Sequence, residues 1–283
     1  MHKVGISSFA LRYAIAAQAH PLDPIGVLEK AAELGAEVVQ ICDNLPLDPL
    51  SDGELDVLAR RAADLGLALE VGTRGSGPER MERYLQVAQR LGVRVLRLVL
   101  SDAAEGRTIG EERDVLRALL PRLAAAGITL ALENRFRLLP DQLAALIGSL
   151  NAGDGEAPSI GASQATGTPV AGACLDPLNS ISRLAGPREV IETLAPLAVT
   201  VHVKDATMTR EGATWVLRGC PVGDGLLDVQ ALLDALHRHP HDPPPNLLVE
   251  GWMEPLHTET ATLAQEEAWT QRGIAYLKKL ASR

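Results

Sequence analysis

Cysteine is scarce in this 283-residue chain: Cys42, Cys174 and Cys220 are an odd number at wide spacing. That excludes a disulfide framework and a zinc knuckle, and it fits a reducing, cytoplasmic setting. Long apolar runs are missing too, since no window reaches the ~18 consecutive apolar residues that a membrane span needs. Positive charge is in deficit, with 27 Lys plus Arg against 36 Asp plus Glu and a formal net charge of -9. This balance argues against nucleic acid or an anionic membrane as partner. No glycine-rich phosphate turn follows the first apolar run, Val4 to Ser7, so a dinucleotide-binding open sheet has no anchor here. The stretch ending Ala17-Gln18-Ala19 imitates a signal peptide, but Arg12 interrupts it and residues 3 to 8 are needed as a strand.

What is present is a steady alternation. Apolar residues make up 46% and charged residues 22% of the chain, ordinary values for a globular protein with a real core. Short aliphatic runs at Val4 to Ser7, Val38 to Ile41, Ala68 to Val71, Val95 to Leu100, Ile128 to Leu132, Ala171 to Leu175, Val199 to Val203 and Leu247 to Val249 read as strands. They are nearly all apolar, as parallel strands covered on both faces must be. Segments of helical period lie after them at 24 to 35, 52 to 65, 78 to 91, 109 to 126, 140 to 150, 187 to 195, 228 to 238 and 259 to 280. Gly35, Gly66, Gly92 and Gly127 stop four of these just before the next strand.

Eight strand-helix units in about 250 residues predict a single (β/α)8 TIM barrel over 1–283, with no domain boundary. Two irregular stretches, Asn151 to Gly172 and the Pro-rich His239 to Pro245, precede strands and so belong on the N-terminal face. The first reads as a flexible insertion around 151–170. The His237, His239, His241 alternation runs into the second and reads as a solvated loop. Gly223 to Gly225 lacks the context of a dinucleotide fingerprint, and Asp228 reads as a helix N-cap.

In such a barrel the reacting groups stand at the C-terminal strand ends. Strand five ends in Leu132-Glu133-Asn134, six in Leu175-Asp176, seven in Val201-His202-Val203-Lys204-Asp205, and eight in Val249-Glu250-Gly251. Glu133, Asp176, His202 and Glu250 then converge from four consecutive strands. Three carboxylates gathered in a partly dry site repel one another unless a cation compensates them. An imidazole with three carboxylates suits Mn2+ first, and Mg2+, Co2+ or Fe2+, better than a closed structural Zn2+ site. Lys204 shares the side of His202 under a period of two and is placed to polarise a substrate oxygen; the alternative is a salt bridge to Asp205 or Glu250. Asn134, Arg135, Arg74 and Trp252 follow strand ends and are candidates for hydroxyl hydrogen bonds and an apolar sugar-stacking face.

Leu-Glu-Asn at strand five, Leu-Asp-Pro-Leu-Asn-Ser at six, His-Val-Lys-Asp at seven and Val-Glu-Gly at eight resemble the xylose isomerase-like TIM-barrel superfamily of sugar isomerases and epimerases, inosose dehydratases and endonuclease IV. The resemblance runs from Gly5-Ile6-Ser7 to Gly223-Asp224-Gly225-Leu226-Leu227-Asp228. It implies that Glu133, Asp176, His202 and Glu250 are metal ligands, with Glu133 and Glu250 doubling as the proton-transferring pair of ketose epimerases. Where those epimerases usually carry a His and a further Glu, this chain has Asn179 and Leu139, and Asn179 joins the substrate-binding candidates. Endonuclease IV fits worse, because its trinuclear zinc site needs more strand-end histidines than the seven histidines here supply.

The leading expectation is therefore a divalent-metal-dependent isomerase or epimerase of a small sugar, keto-sugar or cyclitol, working through an enediolate. The alternative is a dehydratase or lyase of the inosose dehydratase or keto-glycoside eliminating kind. From another class comes a non-catalytic sugar-binding barrel, which has no need of charges that only a cation neutralises. A homo-oligomer is compatible with all three readings.

Overall fold

The computed structural model describes residues 1–100, 107–152 and 170–282. Its central feature is a closed parallel barrel of β1 (Val4–Ser7), β2 (Val38–Ile41), β3 (Ala68–Arg74), β4 (Val95–Val99), β5 (Thr129–Glu133), β6 (Ala171–Leu175), β7 (Ala198–Val203) and β10 (Asn246–Val249), with β10 closing onto β1. Outside it pack α1 (Arg12–Ile15), α2 (Pro24–Glu33), α3 (Asp52–Asp64), α4 (Pro78–Leu91), α5 (Ile109–Ala125), α6 (Pro140–Asn151), α7 (Pro187–Leu194), α8 (Val229–Arg238) and α9 (Glu259–Ala281). The eight expected strands and helices are all there, so the (β/α)8 expectation holds. No helix among the described residues is long and apolar enough to cross a membrane.

Local chemistry sets the element ends. Ser51 and Glu54 form a reciprocal cap at the start of α3, Thr108 and Glu111 do the same for α5, and the Asp228 side chain accepts from Ala231 N–H at the start of α8. Gly35, Gly66, Gly92 and Gly127 all take positive φ, which lets the chain leave each helix toward a strand.

Structure adds to the sequence reading at three places. Strand β3 runs on to Arg74, past the expected end at Val71. A two-stranded antiparallel ribbon, β8 (Asp205–Glu211) and β9 (Thr214–Cys220), rises from the end of β7 where no strand was expected. Its turn is made at Gly212, φ 61°. The third place is the expected insertion, of which residues 153–169 lie outside the described ones. Its flanks meet at the start of β6, where Asn151 Nδ2 donates to Ala171 O (2.8 Å) and Ala171 N–H donates to Asn151 Oδ1 (3.0 Å).

His241 of the Pro-rich connection, expected in a solvated loop, is half-buried, and with His2 it fastens the N-terminal face. His241 Nε2–H donates to Ala195 O (2.9 Å), and His2 Nδ1–H donates to Pro245 O (2.7 Å). No group of metal-binding geometry forms there among the described residues. Burial lowers the pKa of both rings below the ordinary histidine value of 6.5. A lowered folded pKa means that the unfolded chain takes up more protons, so this share of stability is complete above pH 6.5 and lost as pH falls through the folded values. Thermal unfolding between pH 8 and pH 5 should show Tm falling below pH 6.5, and His2→Asn with His241→Asn should flatten that slope.

Candidate active site

Four side chains from neighbouring strands meet at the C-terminal mouth. Glu133 is the last residue of β5, Asp176 follows β6, His202 lies in β7 and Glu250 follows β10. All are buried. His202 Nδ1 lies 3.7 Å from Glu133 Oε2, 3.9 Å from Asp176 Oδ2 and 3.5 Å from Glu250 Oε1, and it has no hydrogen-bond partner. The four residues expected from the strand ends are thus brought together around one ring nitrogen.

Each carboxylate is held from outside the cluster. Asp176 Oδ1 accepts from the backbone N–H groups of Leu178 (3.0 Å) and Asn179 (3.1 Å), which leaves Oδ2 facing the site. The Asn134 amide brackets the Asp176 backbone, donating to Asp176 O and accepting from Asp176 N–H, both at 2.8 Å, and it also donates to Ser180 Oγ. Asn134 therefore stands fully buried behind Asp176, with its polar atoms engaged by the chain. Asn179 Nδ2 donates to Glu133 Oε1 at 2.7 Å. Glu133 Oε2 accepts from Arg97 Nε at 2.5 Å, and Arg97 Nη1 reaches Asp43 Oδ1 at 2.5 Å.

Lys204, beyond the end of β7, lies with Nζ 2.7 Å from Asp176 Oδ2 and 2.6 Å from Glu250 Oε2, and 4.6 Å from the Trp252 ring centre. Its ion pairs go to these two carboxylates and not to Asp205, which instead accepts from four backbone N–H groups, those of Ala206, Gly223, Gly225 and Leu227. A Cβ on Gly225 would sit 2.2 Å from Asp205 Oδ1, so the glycine there serves this anchored loop. Arg74 and Arg135 are half-buried at the ends of β3 and β5. Arg135 lies over the Phe136 ring and lines a cleft with Glu133.

Arg97 was absent from the sequence candidates although it carries much of the site's electrostatics. It is fully buried inside the barrel, opposite Gly72 of β3, where a Cβ would approach its Cδ to 3.0 Å. Its signal was an arginine in the middle of an otherwise aliphatic strand, Val95-Leu96-Arg97-Leu98-Val99. Arg97→Met leaves Glu133 without its buried counter-charge and should destabilise the fold by about 3–5 kcal/mol. Denaturant unfolding reads this directly, and a loss under 1 kcal/mol would show that the pair contributes little.

Four carboxylates, Glu133, Asp176, Glu250 and Asp43, face two cations, Arg97 and Lys204. Two negative charges remain, the charge that one divalent ion balances. The pKa values carry the same tension. Burial pushes the Glu250 carboxyl up, but Lys204 outweighs it and holds it well below the usual carboxylate range. Asp176 is raised, by burial first and by Glu250 and Glu133 next, with Lys204 opposing. Two ligand groups are geometrically able to hold an ion: Asp176, His202 and Glu250, or Glu133, Cys174 and His202. Burial raises the Cys174 thiol, and a hard divalent ion prefers carboxylate oxygen to sulfur. The residues fit a hard divalent ion held by His202 Nδ1 and carboxylate oxygens.

Comparison with known proteins agrees with this architecture. The model of the xylose isomerase-like TIM barrel family matches residues 28–280. The chain is 34% identical over 280 residues to the 3-oxo-isoapionate decarboxylase of Pectobacterium atrosepticum, covering 97% of this chain and 94% of that one. It is similar in fold to the D-psicose 3-epimerase of Clostridium cellulolyticum H10 solved with D-tagatose (TM-score 0.69, 14% identity, 98% and 99% of the two chains). A xylose isomerase-like TIM barrel protein from Mycobacterium smegmatis in complex with magnesium is also similar (TM-score 0.61, 17% identity, 90% and 89%).

Proposed function

The chain belongs to the xylose isomerase-like TIM barrel family, and within it we propose a divalent-metal-dependent lyase that decarboxylates a small 3-oxo sugar acid. The observation that carries this reading is the state of the two carboxylates an epimerase would use as proton carriers. Glu133 accepts from Asn179 on one oxygen and from Arg97 on the other; Glu250 accepts from Ser7 Oγ (3.1 Å) and from Lys204. All four of these oxygens thus accept hydrogen bonds from the chain, and none stands free to take a proton from the substrate. Decarboxylation of a 3-oxo acid needs no base. It needs a sink for the electrons left behind and a proton donor. The whole-length similarity to a decarboxylase of a 3-oxo acid supports the same choice.

A bound divalent ion would supply positive charge to the substrate oxygens on which negative charge develops. The chain's own residues account for the remaining work. Arg135, which has no ion pair or hydrogen bond among the described residues, is placed beside Glu133 to orient the substrate carboxylate. The bond between the carboxyl carbon and its neighbour breaks, and carbon dioxide leaves. The bonding pair forms a carbon-carbon double bond while the adjacent carbonyl pair moves to its oxygen. Lys204 then gives a proton from Nζ to the carbon that lost the carboxyl group, the double bond returns to a carbonyl, and Lys204 regains its proton from water. Lys204 is raised above the ordinary lysine value, Asp176 and Glu250 outweighing burial, so it enters the step charged. Trp252 beneath it offers an apolar face to the sugar carbons. Three unpaired cysteines support a reducing, cytoplasmic location.

An epimerase or isomerase of a neutral keto-sugar is the second reading, supported by Glu133 and Glu250 facing the same imidazole from either side of β7. NMR in deuterated water with Mn2+ separates the two. A 3-oxo sugar acid should release carbon dioxide and leave one deuterium at the carbon that carried the carboxyl group. Exchange at a carbon beside the carbonyl of a keto-sugar, with all carbons retained, would favour the epimerase instead.

A further inference from the structure

Beneath the metal ligands the barrel interior holds a second polar layer, unusual because strand residues that face inward there are expected to be aliphatic. Gln40 of β2, Glu70 of β3 and Thr200 and His202 of β7 are all buried, and half-buried Asn246 opens β10. His202 Nε2 lies 2.7 Å from Gln40 Oε1; Gln40 Nε2 donates to Glu70 Oε2 at 2.7 Å; Asn246 Nδ2 donates to Glu70 Oε1 at 2.6 Å. The Cys42 thiol is a further donor to Gln40 Oε1, at 3.1 Å.

These contacts have a direction. An ionised Glu70 can only accept, so with Glu70 ionised the end of Gln40 that faces it is the NH2 group. The other end of Gln40 is then the carbonyl, an acceptor only, and it faces His202 Nε2 and a thiol. His202 therefore carries a proton on Nε2, and in the neutral ring this leaves the lone pair on Nδ1, the nitrogen that points at Glu133, Asp176 and Glu250 and has no hydrogen-bond partner.

We propose that Gln40 and Glu70 are positioning residues that lock His202 in its Nε2–H form through a hydrogen-bond relay across the barrel, so that Nδ1 is presented as a ready ligand. This rests on the metal-site reading above for its purpose, while the tautomer itself is a property of the chain alone. The relay links strands on opposite sides of the barrel, with Gln40 and His202 separated by 162 residues in sequence. Its absence would cost the ion in two ways. The other tautomer places a proton where the ion belongs, and a freely turning ring is no longer held toward the three carboxylates.

The test reads the ring directly, by long-range 1H–15N correlation spectra of histidine-labelled, ion-free protein, with the His202 signals assigned by their loss in His202→Asn. At a pH where the wild-type ring is neutral, His202 should appear as one Nε2–H tautomer. Gln40→Leu should give a mixture of tautomers and an Mn2+ affinity lower by about 10–100-fold in calorimetry. Gln40→Glu keeps an acceptor toward Nε2 and should restore the single tautomer. A predominantly Nδ1–H ring in the wild-type protein, a measurement independent of how any variant folds, would overturn the proposal. So would a single unchanged tautomer in Gln40→Leu. A wild-type ring of the expected tautomer that binds no Mn2+ would leave the relay standing and remove the metal-site reading instead.

Discussion

Replacing His202 by alanine is expected to release the divalent ion and to lower turnover by about three orders of magnitude. In the proposed ligand set the imidazole is the sole nitrogen donor beside three carboxylates, and its Nδ1 sits 3.5–3.9 Å from each of them. Without it the ion faces three oxygens whose geometry is set by Arg97, Lys204 and the Asp176 turn. The charge stabilisation that an ion gives to a developing oxyanion is several kcal/mol, and each 1.36 kcal/mol is tenfold in rate. Asp176→Ala should behave alike, since Oδ2 is the oxygen turned into the site while Oδ1 belongs to the backbone turn. Metal analysis after gel filtration, beside turnover with excess Mn2+, checks both; full occupancy in either variant would remove that residue from the ligand set.

Lys204→Met separates the proposed proton donor from the proposed ligands. Removing Nζ deletes the cation that lies between Asp176 and Glu250, so the remaining carboxylates should hold a divalent ion as tightly as before or more tightly. Turnover should nevertheless fall by about 10²- to 10⁴-fold, the usual loss for a general acid. In deuterated water the residual product should carry deuterium on either face of the reacting carbon, because bulk solvent has no fixed side from which to deliver it. A salt bridge that served stability alone would lower Tm and leave the stereochemistry of the product intact.

Much of this was open to reading along the chain, and the reason is physical. Parallel strands buried on both faces must be apolar, so polar residues at Glu133, Asp176, His202 and Glu250 stand out where each run stops. Helix ends were marked by glycines that the backbone requires at positive φ. What escaped was the layer below. Gln40, Glu70 and Arg97 lie inside strands that look aliphatic as wholes, and their meaning depends on partners fixed only by barrel closure and register, such as Gly72 beside Arg97 or His202 across from Gln40. The ribbon of β8 and β9 escaped for another reason. Its residues, from Asp205 to Cys220, are mostly exposed, so little apolar alternation announces it; the Glu211-Gly212 turn was the one local sign. Asn134 shows the limit of reading strand ends, since it follows Glu133 directly yet braces Asp176 from behind.

Anomalous diffraction at the manganese edge, from crystals grown with Mn2+, tests the central claim most directly. One peak per chain is expected at the barrel mouth, with His202 Nδ1 and oxygens of Glu133, Asp176 and Glu250 as its protein ligands. A peak elsewhere, an ion bound through the Cys174 sulfur, or no peak in crystals that contain the ion would contradict the account.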